Sequence, residues 1–137
     1  MDKRFIFLST LFFLLFFVVI SMMVLNQPLK RLIRAKEELV PSAKTSLILG
    51  WPLTAPADGK TNVNINVFVR NINNLPLNNK KVNLTTSLGE IKEIQPITDK
   101  NGKSTFILNS NSAGIAEIKA IVDNQIELEQ KLTVKFE

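Results

Sequence analysis

The side chains able to do chemistry are few and poorly grouped. Asp58 and Asp99 each stand alone beside a glycine turn, in Ala57-Asp58-Gly59 and Thr98-Asp99-Lys100-Asn101-Gly102. Carboxylates in turns can ligate calcium, but a calcium loop clusters several of them at fixed spacing. Both are therefore read as turn formers. Glu90 and Glu93 come nearest to an acid pair, yet nothing around them implies a pocket in which general acid–base chemistry would be confined. The chain has no His and no Cys, which removes histidine-based triads, thiol nucleophiles, disulfides and zinc sites together. Serines are plentiful but lack a base, and no Ser-x-x-Lys spacing occurs. With five glycines in all, no phosphate-cradling loop is present. Asn83-Leu84-Thr85 is a formal glycosylation sequon of the kind that arises by chance. The reading is a non-enzymatic chain with no catalytic residue, metal, cofactor or small-molecule substrate.

Charge separates two regions. The net charge is +5, but residues 1–45 hold seven Lys/Arg against three acids, while residues 46–137 hold ten against nine. A nucleic-acid module concentrates basic charge and stacking aromatics on its folded face. Here the larger region is nearly neutral, and its aromatics are Trp51, Phe68, Phe106 and Phe136. Nucleic acid is excluded as a partner. Membrane lipid and an unidentified protein are the expected ones.

Phe5 to Leu25 runs for 21 residues without a charge, six of them Phe. As a helix rising about 1.5 Å per residue it reaches roughly 31 Å, enough for a hydrocarbon core of about 30 Å. Phe5, Phe12, Phe13, Leu14, Leu15, Phe16, Phe17 and Leu25 carry the anchoring surface. The basic head Met1-Asp2-Lys3-Arg4 resembles that of a signal peptide. The block exceeds the usual ~7–15 apolar residues, however, and no small-x-small cleavage site follows it. An uncleaved signal-anchor is expected over residues 1–27. Lys/Arg counts on the two flanks are nearly balanced, so charge does not set the orientation. Asn26 to Val40 reads as a separate short stem helix, with Asn26 as cap, Pro28 in the first turn and Pro41 as the stop. Its cations Lys30, Arg31, Arg34 and Lys36 either rest on anionic headgroups or belong to a solvated spacer. The stem and linker occupy residues 28–45.

From residue 46 onward the pattern is one of short alternating runs between turn signals. Val63, Ile65, Val67 and Val69 share one parity and Asn64 and Asn66 the other, the signature of a half-buried strand. Val82 and Leu84, Phe106 and Leu108, and Ala116, Ile118, Ala120 and Val122 repeat it. Ile126, Leu128, Leu132, Val134 and Phe136 form a last, long strand. Ser46–Leu53 is the first strand, interrupted by Gly50 and Pro52, with Trp51 covering the core. Ile91, Ile94 and Ile97 mark a looser segment. The first and last strands are the candidate edges. Most of the chain's fourteen Asn are read as turn residues or outward strand positions that serve surface solubility. About seven short strands with no helix among them argue for an antiparallel β-sandwich over residues 46–137.

Landmarks along this region resemble the bacterial immunoglobulin-like domain of the invasin and intimin family. They are Ala57-Asp58-Gly59, then Val67-Phe68-Val69-Arg70, then Leu75-Pro76-Leu77 where the family usually has Gly or Asn, one residue, and Pro-Val. Val82 to Ser87 follows, then Leu88-Gly89, and Thr98-Asp99-Lys100-Asn101-Gly102 before Phe106. Ala113-Gly114 precedes Ala116, Ala120 and Val122, and Val134-Lys135-Phe136 closes the match, which spans roughly 80 of the 137 residues. The resemblance implies a seven-stranded antiparallel Ig-like sandwich, exported from the cytoplasm. Ala57, Asp58, Gly59, Pro76, Gly89, Asp99, Asn101, Gly102, Phe106, Gly114 and Phe136 become its structural motif residues. Family members often string such domains into rods that present a tip domain. This chain shows one copy, no tip domain and no outer-membrane barrel, so host-cell adhesion does not carry over. The expected function is that of a membrane-anchored, extracytoplasmic Ig-like module with a structural or protein-interaction role. The alternatives are a subunit of a pilus-like filament and an accessory subunit of a membrane complex, each held by the N-terminal helix.

Overall fold

The computed structural model describes residues 2–137, the side chains of 24–38 excepted. The chain divides into two compact units, Met1–Glu37 and Glu38–Glu137. In the first, one helix, α1 (Lys3–Glu38), replaces the spanning helix and separate stem helix expected from the sequence. Neither Asn26 nor Pro28 interrupts it, because a proline removes one helical hydrogen bond and kinks a helix more readily than it ends one. Leu25 and the stem cations Lys30, Arg31, Arg34 and Lys36 lie outside the residues whose side chains are described.

The second unit holds nine strands: β1 (Leu47–Trp51), β2 (Thr54–Ala55), β3 (Val63–Phe68), β4 (Val82–Thr86), β5 (Glu90–Gln95), β6 (Lys103–Asn109), β7 (Gly114–Val122), β8 (Ile126–Glu127) and β9 (Leu132–Phe136). They form two sheets. One has the order β1-β3-β6-β5; the other runs β2-β9-β7-β4, with β8 also paired to β7. Strand alternation decides which side chains meet between them. Val63, Ile65 and Val67 on β3, Phe106 and Leu108 on β6, Ala116, Ile118, Ala120 and Val122 on β7, and Val134 and Phe136 on β9 are buried and form a single core.

Nine strands stand where about seven were expected because the last run divides and the short β2 follows the first run. Ser46–Leu53 yields β1 alone, which pairs with β3 in one sheet; past Pro52 the chain crosses to the other sheet, where β2, beyond the end of that run, pairs with β9. The β2–β9 pair is parallel, so the sandwich is not wholly antiparallel. The last run splits between β8 and β9, where the Gln130 Oε1 leaves the sheet to accept the Ile48 N–H at 3.3 Å. Parity survives the break, since Leu128 and Leu132 on either side of it are both buried. Enclosed by β2 and β7, β9 is not the edge strand anticipated; the edges are β1, β5, β2 and β4. The loose isoleucine segment is the edge strand β5, with a bulge between Glu93 and Gln95. Ile91 packs on the core, whereas Ile94 and Ile97 are exposed.

The sandwich has two poles. At the near pole the chain arrives beside the β3–β4 connection, where the Ser42 N–H donates to Arg70 O at 2.8 Å and Thr45 Oγ1 donates to Asn71 O at 2.7 Å. At the far pole the Glu137 N–H donates to Ala55 O (3.1 Å) and its own carbonyl accepts from the Ala57 N–H (2.9 Å). Gly102 ties the near pole together at a φ of +72°, its N–H bonded to Asp99 O and its carbonyl accepting the Val69 N–H. A Cβ there would stand 2.5 Å from Val69 O. Replacing Gly102 by Ala should therefore cost about 2 kcal/mol through backbone strain, read as a lower urea midpoint for the detergent-solubilised chain with an unchanged slope.

Candidate functional site

The motif residues divide between turns and core. Asp58 closes one far-pole turn: its Oδ1 accepts the N–H groups of Lys60 (2.8 Å) and Thr61 (2.7 Å), and its Oδ2 accepts the Thr61 hydroxyl at 2.8 Å. Gly59, beside it, has a φ of +67° and donates its N–H to Ser110 O at 2.9 Å. Asp99 does the same work at the near pole, where its Oδ1 accepts the N–H groups of Asn101 (2.8 Å) and Lys103 (3.0 Å). Gly89 and Gly114 also have positive φ, and Pro76 sits in an isolated bridge with Arg70. Phe106 and Phe136 are core residues, and Ala57 packs against the core. These residues are spread over both poles and the interior; the fold does not converge them on one site.

Both aspartates close turns by accepting local donors. Backbone donors hold the carboxyls of Asp58 and Asp99 below their ordinary range, the Thr61 N–H leading for the first and the Lys103 N–H for the second. Glu90 and Glu93 lie on exposed edge strand β5. Among the described residues no group of three or more His, Cys, Asp or Glu is placed to hold a metal ion.

Two features escaped the sequence reading. Asn71, counted among the surface asparagines, is fully buried, and its Oδ1 accepts the N–H groups of Asn73 (3.0 Å) and Leu75 (2.9 Å), which fixes the β3–β4 loop. A buried amide that satisfies two backbone donors replaces the missing sheet partners there. Trp51, expected to cover the core, is instead 76% exposed. It shares its parity with Leu47 and Leu49, which are also exposed. The signal was available: β1 is apolar on both parities, so either face buried leaves the other apolar and uncovered.

On α1 the segment Lys3–Met23 is long and apolar enough to cross a membrane. Phe12 stacks on Phe16 with ring centroids 6.3 Å apart and meets Phe13 edge-on at 5.9 Å. Phe5, Leu14, Leu15 and Phe17 are exposed on the same segment. The Thr10 hydroxyl donates to Ile6 O at 2.7 Å within the helix.

The family profile described as bacterial Ig-like domain (group 1) matches residues 52–137. The chain belongs to that family. The match begins at Pro52, just after β1. Solved structures agree on the fold. Yersinia pseudotuberculosis adhesin InvE superposes with a TM-score of 0.63 at 22% identity, covering 70% of this chain and 27% of that one. The D0–D1 domain of intimin gives 0.60 at 26% identity, over 72% and 49%. Invasin, described as a bacterial integrin-binding protein, gives 0.64 at 22% identity, over 71% and 20%. The chain thus matches less than half of each of these structures. No curated protein matches it in sequence.

Because the folded-state carboxyls of Asp58 and Asp99 titrate below their unfolded values, their stabilisation is complete above the ordinary aspartate range near pH 4. It is lost as pH falls through the lowered folded values. Thermal melts between pH 6 and pH 2 should show the melting temperature falling on the acid side, and Asp58→Asn with Asp99→Asn should flatten that limb.

Proposed function

We propose that this chain is a single-pass, membrane-anchored Ig-like module whose sandwich lies on the extracytoplasmic side and acts by protein interaction, without catalysis. The observation that carries this reading is the pairing, on one chain, of a helical segment long and apolar enough to span a membrane with a group 1 Ig-like domain. An N-terminal apolar helix serves as anchor or as signal sequence. The anchor is favoured by the length of this one and by the absence of a cleavage site after it. Export is favoured by the adhesin company the domain keeps. A protein partner is favoured by invasin, described as integrin-binding; which protein this chain meets is a separate matter, since it matches only a fifth of invasin's length.

The N-terminal region 1–27 then serves as anchor and 28–45 as stem, with membrane lipid around the first. The motif residues Ala57, Asp58, Gly59, Pro76, Gly89, Asp99, Asn101, Gly102, Phe106, Gly114 and Phe136 have a structural role, holding the turns and core that present the faces of the sandwich.

Two measurements test this. A tag after Glu137 should be digested by protease added to cells whose outer layers are permeable but whose cytoplasmic membrane is intact; protection until that membrane is broken would put the sandwich in the cytoplasm. Leu14→Arg with Leu15→Arg should move the chain from the alkaline-carbonate pellet to the supernatant, since each arginine at the middle of a span costs about 2.5–3.5 kcal/mol.

A further inference from the structure

The two poles of the sandwich differ. The far pole ends in polar turns at 57–60 and 109–112, and carries Asp58, Glu90 and Glu137 against Lys60 and Lys135. At the near pole the β3–β4 loop presents Ile72 and Leu75, 61% and 52% exposed. The backbone beneath them is fixed. The Asn71 N–H donates to Leu75 O (3.0 Å), the Asn74 N–H donates to Asn71 O (2.9 Å) and the Arg70 guanidinium donates to Asn74 Oδ1 (3.0 Å), besides the two N–H groups held by the buried Asn71 amide. Leu39 and Val40 are exposed where the chain enters beside this loop. Cations stand next to these aliphatic side chains. Lys44 lies in the entering segment, which Ser42 and Thr45 bond to Arg70 and Asn71. Lys100 lies in the turn whose Gly102 carbonyl accepts the Val69 N–H, and Lys80 and Lys81 are joined to that turn through the Thr98 N–H, which donates to Lys80 O at 2.9 Å. The acids nearby are Asp99, Asp123, Glu127 and Glu129. Backbone donors of its own turn hold Asp99, Lys80 holds Asp123 at 3.2 Å, and Lys119 holds Glu127 at 3.5 Å. Lys44, Lys81 and Lys100 are exposed and enter no ion pair among the described residues.

We propose that the near pole docks on an anionic membrane surface, with Ile72 and Leu75 entering among the headgroups and the lysines beside them meeting lipid phosphates. Two features select lipid. Aliphatic tips next to uncommitted cations match one bilayer surface at two depths, the acyl boundary for the tips and the anionic headgroups for the ammonium groups. A protein partner would have to supply an apolar socket and an acidic rim together. The second feature is the fixed backbone of the loop. Because Asn71 already holds it, little freedom is lost when its side chains are immobilised on a surface. The far pole offers neither exposed aliphatic tips on its turns nor an excess of cations. The inference rests on the anchored reading, which brings a bilayer to the chain, and confinement beside that bilayer raises the effective concentration at which so small a patch can act.

The chain has no cysteine, so one introduced thiol carries one nitroxide. Asn73→Cys, exposed between the two tips, and Lys60→Cys, exposed at the far pole, are made separately in the full chain. The labelled chains are reconstituted into vesicles of phosphatidylcholine with and without phosphatidylglycerol. Power saturation of the nitroxide signal then compares collisions with oxygen, which concentrates in lipid, and with a water-soluble nickel chelate. The oxygen-to-nickel ratio should be several-fold higher at 73 than at 60, and only where phosphatidylglycerol is present. A tether alone could bring residue 73 near lipid, so variants of the tips decide: Ile72→Ser with Leu75→Ser should lower the ratio at 73 to that at 60. Each cation near an anionic surface favours attachment roughly fivefold, so Lys81→Glu with Lys100→Glu should lower it likewise. All these positions are exposed, and protease resistance equal to the parent's confirms that each variant is folded. A ratio at 73 equal to that at 60, or one unmoved by lipid charge or by the serine pair, overturns the proposal and leaves the loop to a protein or to water. Alkaline-carbonate extraction of the same vesicles reads the anchor separately. Retention with a low ratio at 73 upholds the anchor and rejects the docking; release of a chain that gave the high ratio upholds the docking and rejects the anchor.

Discussion

The sandwich depends on one constraint, the burial of every second side chain of β3. Val63, Ile65, Val67 and, just past the strand's end, Val69 are fully buried, and β3 is flanked by β1 on one side and β6 on the other. A slip of one residue would turn four apolar side chains to water and bring Asn64, Asn66 and Phe68 into the core. That penalty sets the β3 register, and the register sets the rest. Phe106 comes opposite Ile65, Ser104 opposite Val67, and Leu47, Leu49 and Trp51 are carried to the outward side. The interior is therefore specified by apolar parity rather than by ion pairs, which among the described residues lie at the surface and contribute little. The pair between Glu117 and Lys131 shifts both titrations in the expected directions, the acid down and the base up, yet both side chains are about half exposed to solvent.

Alternation made the central strands legible before any coordinates. β3, β6, β7 and β9 were readable because each has a polar residue between apolar ones. The strands that were misread have another character. β2 and β8 are two residues long, too short for any period to show, so β2 passed unnoticed after the first run and the run containing β8 looked continuous. The bulge in β5 breaks parity by inserting a residue, and its isoleucines fall out of phase. β9 was taken for an edge because it comes last, but the chain crosses sheets at Pro52 and β2 covers it. Sequence order and spatial order part company wherever a strand changes sheets.

The candidate site was legible in the same uneven way. The turn-forming roles of Asp58, Asp99 and Asn101-Gly102 follow from local chemistry, which spans four or five residues and needs no tertiary knowledge. Asn71 was not distinguishable from thirteen other asparagines, because burial of one amide depends on the Thr45 and Ser42 contacts that bring the incoming chain across it. Trp51 was assigned to the interior on its size alone. Parity said that β1 had two apolar faces; it could not say that Gly50 and Ile48 were the pair turned inward, where the absence of a side chain at Gly50 leaves room for Leu132.

The parallel pairing of β2 with β9 has a mechanical side. The chain comes into the sandwich at the near pole and its last strand runs out at the far one. Tension between the two would draw β2 towards the first and β9 towards the second. In a parallel pair those pulls oppose each other along the strands, and the hydrogen bonds between Leu53–Ala57 and Lys135–Glu137 are loaded in shear, several at once, rather than opened one after another as in an unzipping hairpin. The antiparallel contact of β1 with β3 adds a second seam, with the incoming strand again pulled along its length. Crossing from one sheet to the other at Pro52 thus gives a short domain a two-part clasp against stretching, placed where a force passed along the chain would first arrive.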